Sequence, residues 1–322
     1  MHTRSRLLVL ILACTWNAYA GAQTYPARPV KIITGFPGGS NVDTLTRPVA
    51  QQMGELFGTQ VLVDNRPGAT GMIGNETVAK SQPDGYTLLA VPSTSLTSMP
   101  HMHVKMPYDS LADFAPVTQL AGWSSILIAN PTVPAKNVRE LIALAKARPG
   151  VLTFASSGIG SGFHLSGELF KSMAHVDMVH VPYKGGNLAL NDIMAGRVDL
   201  MFYTLSVALP QIRAGKLRAI AVTGLERNPL LPGVPTVSDS GLPGFESKGW
   251  AGILAPANTP RSIIDKLNAT IVKVLTTPNI TRLYTSLGVQ VVGNTPEQFG
   301  ARIRDDYAKY GRLIKAANIK PK

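Results

Sequence analysis

The residues able to do chemistry in this chain gather in two glycine-serine stretches. In the first, Phe36-Pro37-Gly38-Gly39-Ser40 stands three residues before Asp43; in the second, Ser157-Gly158-Ile159-Gly160-Ser161 stands three before His164. Each stretch follows a short apolar run, Val30 to Thr34 and Val151 to Ala155, and leads into apolar residues at helical spacing. A helix that opens from such a turn leaves backbone N–H groups unpaired and presents the positive end of its dipole. Each turn is therefore a ready anion site. Two of them, far apart in sequence, predict two lobes that grip one carboxylate between them. Ser40 reads as an N-cap with Asp43 as its acidic partner. A ligand role for both stays open, because capped and free N–H groups sit side by side. Gly38 and Gly39 suit close approach of a ligand oxygen to bare backbone.

Catalytic readings of the same residues are weaker. Gly158-x-Gly160 before a helix is a partial nucleotide fingerprint, but Phe163 stands where the third glycine belongs and no acidic partner follows at the usual distance. Ser161 lies in no Gly-x-Ser-x-Gly elbow. His101-x-His103 lacks the further ligands a metal needs, so no metal and no cofactor is expected. Asp43 and His164 facing each other across a cleft form the best enzymatic alternative, a carboxylate-processing site. Without a nucleophile or a metal, the set favours binding over turnover.

The elements that must position these residues alternate strand and helix. After Val30–Thr34 come strands at Gln60–Asp64 and Tyr86–Val91, the latter ending in Ser93 to Ser95, hydroxyl side chains at a strand end where open α/β sheets bind ligands. Continuous apolar strands predict a mostly parallel sheet covered on both faces. Val117 to Asn130 is a long extended run with Gly122-Trp123 near its middle, able to carry the chain from one lobe to the other; Trp250 to Pro256 is a second such run. Helices are expected from Asn137, from Lys184-Gly185-Gly186 after the strand Met178–Tyr183, from Thr259-Pro260 and from Thr295. Pro229 to Pro243 reads as a surface linker. The resulting division is a leader over 1–22, a first lobe over 23–122 and 245–322, and a second lobe over 123–244.

The leader has Arg4 and Arg6, then an apolar stretch too short to span a bilayer, then small-residue cleavage sites at Ala20 and Ala22. Export to the periplasm is the expectation. The single cysteine, Cys14, lies inside it and is either removed or, on the competing account, acylated. Losing Arg4 and Arg6 lowers the formal charge from +12 to +10. The basic residues are scattered singly, which argues against nucleic acid and for a solvated surface that attracts anions.

A family resemblance rests on six pieces in order: Phe36-Pro37-Gly38-Gly39-Ser40-x-x-Asp43; Asn65-Arg66-Pro67-Gly68-Ala69; Pro83-Asp84-Gly85-Tyr86-Thr87-Leu88; Ala155-Ser156-Ser157-Gly158-x-Gly160-Ser161-x-x-His164-Leu165; His180-Val181-Pro182-Tyr183-Lys184-Gly185; and Val234-Pro235-Thr236. Together they resemble the extracytoplasmic solute receptors of tripartite tricarboxylate transporters, the Bug-type receptors, over essentially the whole mature chain. The resemblance implies a type II periplasmic-binding-protein fold, α/β in class, with two lobes joined by crossing strands. It implies capture of a small organic acid, a di- or tricarboxylate or an aromatic carboxylate, whose carboxylate is held by main-chain amides and bridging waters. Carried onto matching positions, the site is Phe36, Gly38, Gly39, Ser40 and Asp43 with Ser157, Gly158, Gly160, Ser161 and His164, and in second rank Ser93, Ser95, Tyr183 and Tyr203. The implied partners are transporter subunits in the membrane; a receptor that reports to a sensor kinase is an alternative the sequence does not separate, and a monomer is expected in either case. After Phe202 many relatives carry an acidic residue that meets a ligand ammonium; Tyr203-Thr204 here favour a ligand without an amine. Tyr203 either flanks an aromatic or longer acid or packs in the core.

Overall fold

The computed structural model describes residues 25–103 and 105–319. The expected leader and Cys14 lie outside them. In chain order the elements are β1 (Val30–Thr34), α1 (Asn41–Phe57), β2 (Val61–Asn65), α2 (Met72–Ala79), β3 (Thr87–Pro92), α3 (Ser93–Thr97), β4 (Phe114–Ala129), α4 (Val138–Ala147) and β5 (Thr153–Ser156). There follow α5 (Gly162–Ala174), β6 (Val179–Pro182), α6 (Gly186–Met194), β7 (Leu200–Thr204), α7 (Leu205–Arg213), β8 (Arg218–Val222), β9 (Lys248–Pro256), α8 (Arg261–Leu275), α9 (Pro278–Ser286), β10 (Gln290–Val291) and α10 (Pro296–Ala316).

The strands join in the order β2-β1-β3-β9-β4-β7-β5-β6, with β8 and β10 also paired to β4. The two flanks are parallel, as the continuous apolar strands predict: β1 with β2 and β3, and β5 with β6 and β7. The middle is antiparallel. There β9 runs against β3 and β4, and β4 runs against β7 and β8. The reason is that β4 and β9 are the two runs that cross the molecule in opposite senses. Through Ser124↔Lys248 β4 pairs with β9, and from Ser125↔Thr204 onward it pairs with β7. One 16-residue strand thus belongs to both halves of the sheet.

Each half is covered on both faces. Ile32 and Leu88 pack with Leu45, Val49 and Met53 of α1, while Ile33 and Leu89 face Phe299 and Ile303 of α10. This alternation is the period of two expected of a strand buried on both sides. In the other half Phe154, Leu169, Phe170 and Phe202 form one core, and Ala155, Met201, Ile193 and Val222 the other. The last helix joins the two halves: Phe299 and Ile303 complete the first, and Tyr310, Leu313 and Ile314 the second.

Local signals place most helix starts. Asn137 accepts the Glu140 N–H, and Thr295 forms the reciprocal capping box with Gln298. One start differs from expectation: Thr259 donates its hydroxyl to the Pro256 carbonyl, so α8 begins at Arg261 with Pro260 as its cap. The sequence reading did not anticipate α3, α7 or α9, which are short and lack a side-chain N-cap.

Candidate ligand-binding site

The two glycine-serine turns are the same structure built twice. Gly39 has φ +78° and Gly160 has φ +79°, a left-handed conformation that glycine adopts without the Cβ penalty. Ser40 and Ser161 follow as N-caps with nearly equal dihedrals, φ −65°, ψ 161° and φ −64°, ψ 156°. Their hydroxyls accept the N–H groups of Asp43 (3.4 Å) and His164 (3.3 Å). The side chains of those residues reach back: Asp43 Oδ2 accepts the Gly39 N–H at 2.9 Å, and His164 Nδ1 accepts the Gly160 N–H at 3.0 Å. Ser40 N–H bonds to the Pro37 carbonyl and Ser161 N–H to that of Gly158, which closes both turns alike.

This geometry decides which amides are left over. Gly39 and Gly160, whose residue types pointed to the turns, have spent their N–H groups on Asp43 and His164. Among the described residues, the N–H groups of Asn41 and Val42, and of Gly162 and Phe163, have no protein acceptor. They are the first two of each helix. A sequence reading that followed glycine as the marker of bare backbone stopped short of these positions.

Behind each turn the supporting groups differ. Asp43 is buried, and it also accepts from Arg47 Nε (2.9 Å) and Asn65 Nδ2 (2.9 Å). Burial works to raise its pKa, but the hydrogen bonds from Arg47, Asn65 and Gly39 outweigh that and hold the carboxyl below its ordinary value. Asn65 Nδ2 also donates to the Phe36 carbonyl, so the second strand end is tied to the first turn. His164 is 4% exposed and stacks on His180, with ring centroids 3.8 Å apart. Burial first, then the nearby His180 and Lys171, push the His164 pKa down to about 3; burial and Lys171 push that of His180 to about 4. Both rings are neutral near pH 7. His180 Nε2 lies 2.7 Å from Ser156 Oγ, which accepts the Gly158 N–H and fixes the start of the second turn.

Two adjoining cavities meet the second turn and its helix start, and the smaller also reaches Asn41 at the start of α1. The larger, about 410 Å³, has Ser157, Gly158, Gly160 and Ser161 on one side and Thr70, Met99 and Met102 on the other. The smaller, about 260 Å³, is lined by Asn41, Gly162, Phe163, Ser93, Trp123, Ser125 and Thr204, among others. Thr94 and Gly162 border both. Gly38 and Gly39 face open space, where an added Cβ would meet nothing within 4 Å.

Of the remaining candidates only Ser93 reaches a cavity. Phe36 lies edge-on to Gly71 and packs on the first core. Ser93 lines the smaller cavity and accepts the Trp250 N–H at 3.4 Å, whereas Ser95 is 1% exposed with its hydroxyl unpaired. Tyr183 donates to Asp192 (2.7 Å), and Tyr203 to Asn187 (2.8 Å) from within the core. It is Thr204, the next residue, that borders the cavity. The sequence reading missed Asn41, Trp123, Ser125 and Phe163 as cavity residues. Trp123 and Ser125 had a signal in their place on the crossing strand; Asn41 and Phe163 follow from helix-start geometry alone.

A family model described as "Tripartite tricarboxylate transporter family receptor" matches residues 45–319. This chain belongs to that receptor family. It is 37% identical over 315 residues to a "UPF0065 protein in tcbD-tcbE intergenic region" of Pseudomonas sp. (strain P51), covering 97% of this chain and 94% of that one. Among solved structures it is similar to Rpa4515 of R. palustris with adipate (34% identity, TM-score 0.77), covering 92% of this chain and all of the other. MatC from Rhodopseudomonas palustris with bound malate is also similar, at 29% identity and TM-score 0.73, covering 90% of this chain and 100% of that one. The fold is that of these periplasmic binding proteins. In this receptor the two glycine turns stand on opposite sides of the crossing strands, and among the described residues no helix is long and apolar enough to cross a membrane.

Proposed function

We propose that this receptor is exported, with its leader cut near Ala20 or Ala22, and captures a small organic acid in the cleft between two lobes. Residues 23–122 with 245–322 form one lobe and 123–244 the other, and the bound acid is handed to membrane subunits of a tripartite transporter. One ligand carboxylate is held by the free N–H groups at the starts of α1 and α5. The observation that carries the reading is the duplicated turn: two helix starts with spare amides, at Asn41-Val42 and Gly162-Phe163, meet at one cavity, which Asn41, Gly162 and Phe163 line. Adipate and malate in the similar Rpa4515 and MatC structures give the chemical class support.

Asp43 and His164 position the turns on this reading and do not touch the reacting atoms of any substrate. Each side chain is turned inward to a glycine N–H, and each is buried. The protein binds and releases its acid unchanged. A thermal-shift screen of purified protein against organic acids tests this, because a ligand at a hundred times its Kd stabilises by about 2.7 kcal/mol. Recovery of a chemically altered acid after incubation would replace the receptor reading with an enzymatic one.

A further inference from the structure

The smaller cavity has an aromatic wall for which the carboxylate-binding turns have no use. Trp123 and Gly249 are register partners on β4 and β9, so both stand on the same face of the sheet. The indole lies across the bare Gly249 backbone: a Cβ there would come within 2.4 Å of Trp123 Nε1 and 2.6 Å of Cε2. Among the described residues the indole N–H has no acceptor, and the ring, half-buried, borders the cavity. Phe163 borders it too, braced edge-on by Tyr203 with centroids 5.2 Å apart and planes at 61°. The hydrogen bond from Tyr203 to Asn187 holds that brace in place.

Charge is arranged differently. Among the described residues Lys248 is the one cationic residue on the cavity lining, and it is paired in register with Ser124, one position along from Trp123. Its side chain therefore points to the opposite face, where its Cε lies against Gly224 and its ammonium meets Glu246 Oε1 at 3.0 Å. With the Lys248 ammonium engaged by Glu246, the body of a ligand beyond its carboxylate meets chiefly rings and hydroxyls here.

We propose that Trp123, seated on Gly249, and Phe163 select the ligand by stacking, and that the acid this receptor prefers is flat: a carboxylate on an arene or a conjugated chain. The inference rests on the carboxylate reading above and narrows it. A saturated, puckered acid of the same size presents hydrogens at several heights and cannot lie against an indole face, whereas a planar π-system gains ring-on-ring contact. The expected preference is several-fold to about tenfold in Kd.

The test is calorimetric titration of the purified protein with two matched pairs, benzoate against cyclohexanecarboxylate and trans,trans-muconate against adipate, with citrate alongside. The flat member of a pair should bind up to about tenfold tighter. Trp123→Leu should weaken the flat member more than the saturated one and bring that pair to within about twofold, and Trp123→Phe should restore most of the preference. Indole fluorescence should change with the flat acid in the wild type. If the saturated acids or citrate bind as well as or better than the flat ones, or if Trp123→Leu weakens both members equally, the stacking inference falls and the carboxylate reading stands. If no acid in the set binds, both fall.

Discussion

Asp43 and His164 occupy one position in two copies of the same turn, each accepting the N–H of the glycine four residues before it, at 2.9 and 3.0 Å. A carboxylate and a neutral imidazole do the same work because the turn asks only for an acceptor at that place. Free amides then fall on the two residues after each serine cap, and Asn41 from one copy and Gly162 and Phe163 from the other line one cavity.

Replacing Asp43 should therefore damage the turn before it damages charge recognition. Asp43→Ala leaves the Gly39 N–H, Arg47 and Asn65 without their shared acceptor and should cost about 1–3 kcal/mol in denaturant unfolding. Asp43→Asn keeps an acceptor for Gly39 and should retain measurable acid binding that Asp43→Ala loses. Equal loss of binding in both would instead mark the carboxylate charge itself as the needed feature.

Gly38 and Gly39 separate crowding from strain. Gly38 has no left-handed φ and open space where a Cβ would go, so Gly38→Val should change stability by less than about 0.5 kcal/mol while blocking ligand approach. Gly39 has φ +78°, so Gly39→Val should in addition lose about 1–2 kcal/mol. Unfolding curves and ligand titration on the two variants check both halves of this statement.

The stacked histidines make the second half acid-sensitive. In the unfolded chain a histidine takes its proton near pH 6.5; in the fold His180 does so near 4 and His164 near 3. Between those values the unfolded state binds more protons, so stability falls as pH drops below about 6.5, and the loss is complete only below the folded pKa values. From pH 7 to pH 5 the loss should be about 1–2 kcal/mol per ring. Asp43 acts in the same direction but only below the ordinary carboxylate range, since its pKa is lowered. His164→Asn supplies an acceptor for Gly160 without a titrating ring, and its melting temperature should vary less over pH 7 to 5 than that of the wild type.

Asp306 anchors the last helix to a crossing strand. It is 4% exposed and accepts from Trp250 Nε1 and from Arg302 Nε, both at 2.8 Å. Asp306→Ala leaves a buried indole N–H and a largely buried guanidinium unpaired and should destabilise by about 3 kcal/mol in urea unfolding. Trp250 is 1% exposed, so its emission should shift to the red in that variant if the strand contact loosens.

Strand positions, the crossing run and most helix starts were legible in the sequence because each has a local cause: an apolar run, a cap, a proline. The antiparallel centre was not, since direction within a sheet depends on which distant strands meet β4 and β9. At the site, the glycine turns announced themselves, but the amides that stay free did not. Whether a turn N–H is spare depends on where the side chains of Asp43 and His164 point, and sequence spacing does not carry that. Tyr203 illustrates the same limit: the sequence left it between cavity and core, and in the fold its side chain packs in the core with its hydroxyl on Asn187 while Thr204 borders the cavity.

The double seating of α10 has a consequence for the order in which the protein can assemble. Phe299 and Ile303 belong to one core and Tyr310, Leu313 and Ile314 to another, and all five lie near the end of the chain. Until the segment from Phe299 to Ile314 packs, each of these two cores lacks part of its wall, so neither half can close without α10. One helix is thus a clasp shared by both halves, and loosening it at either seat should be felt at the other.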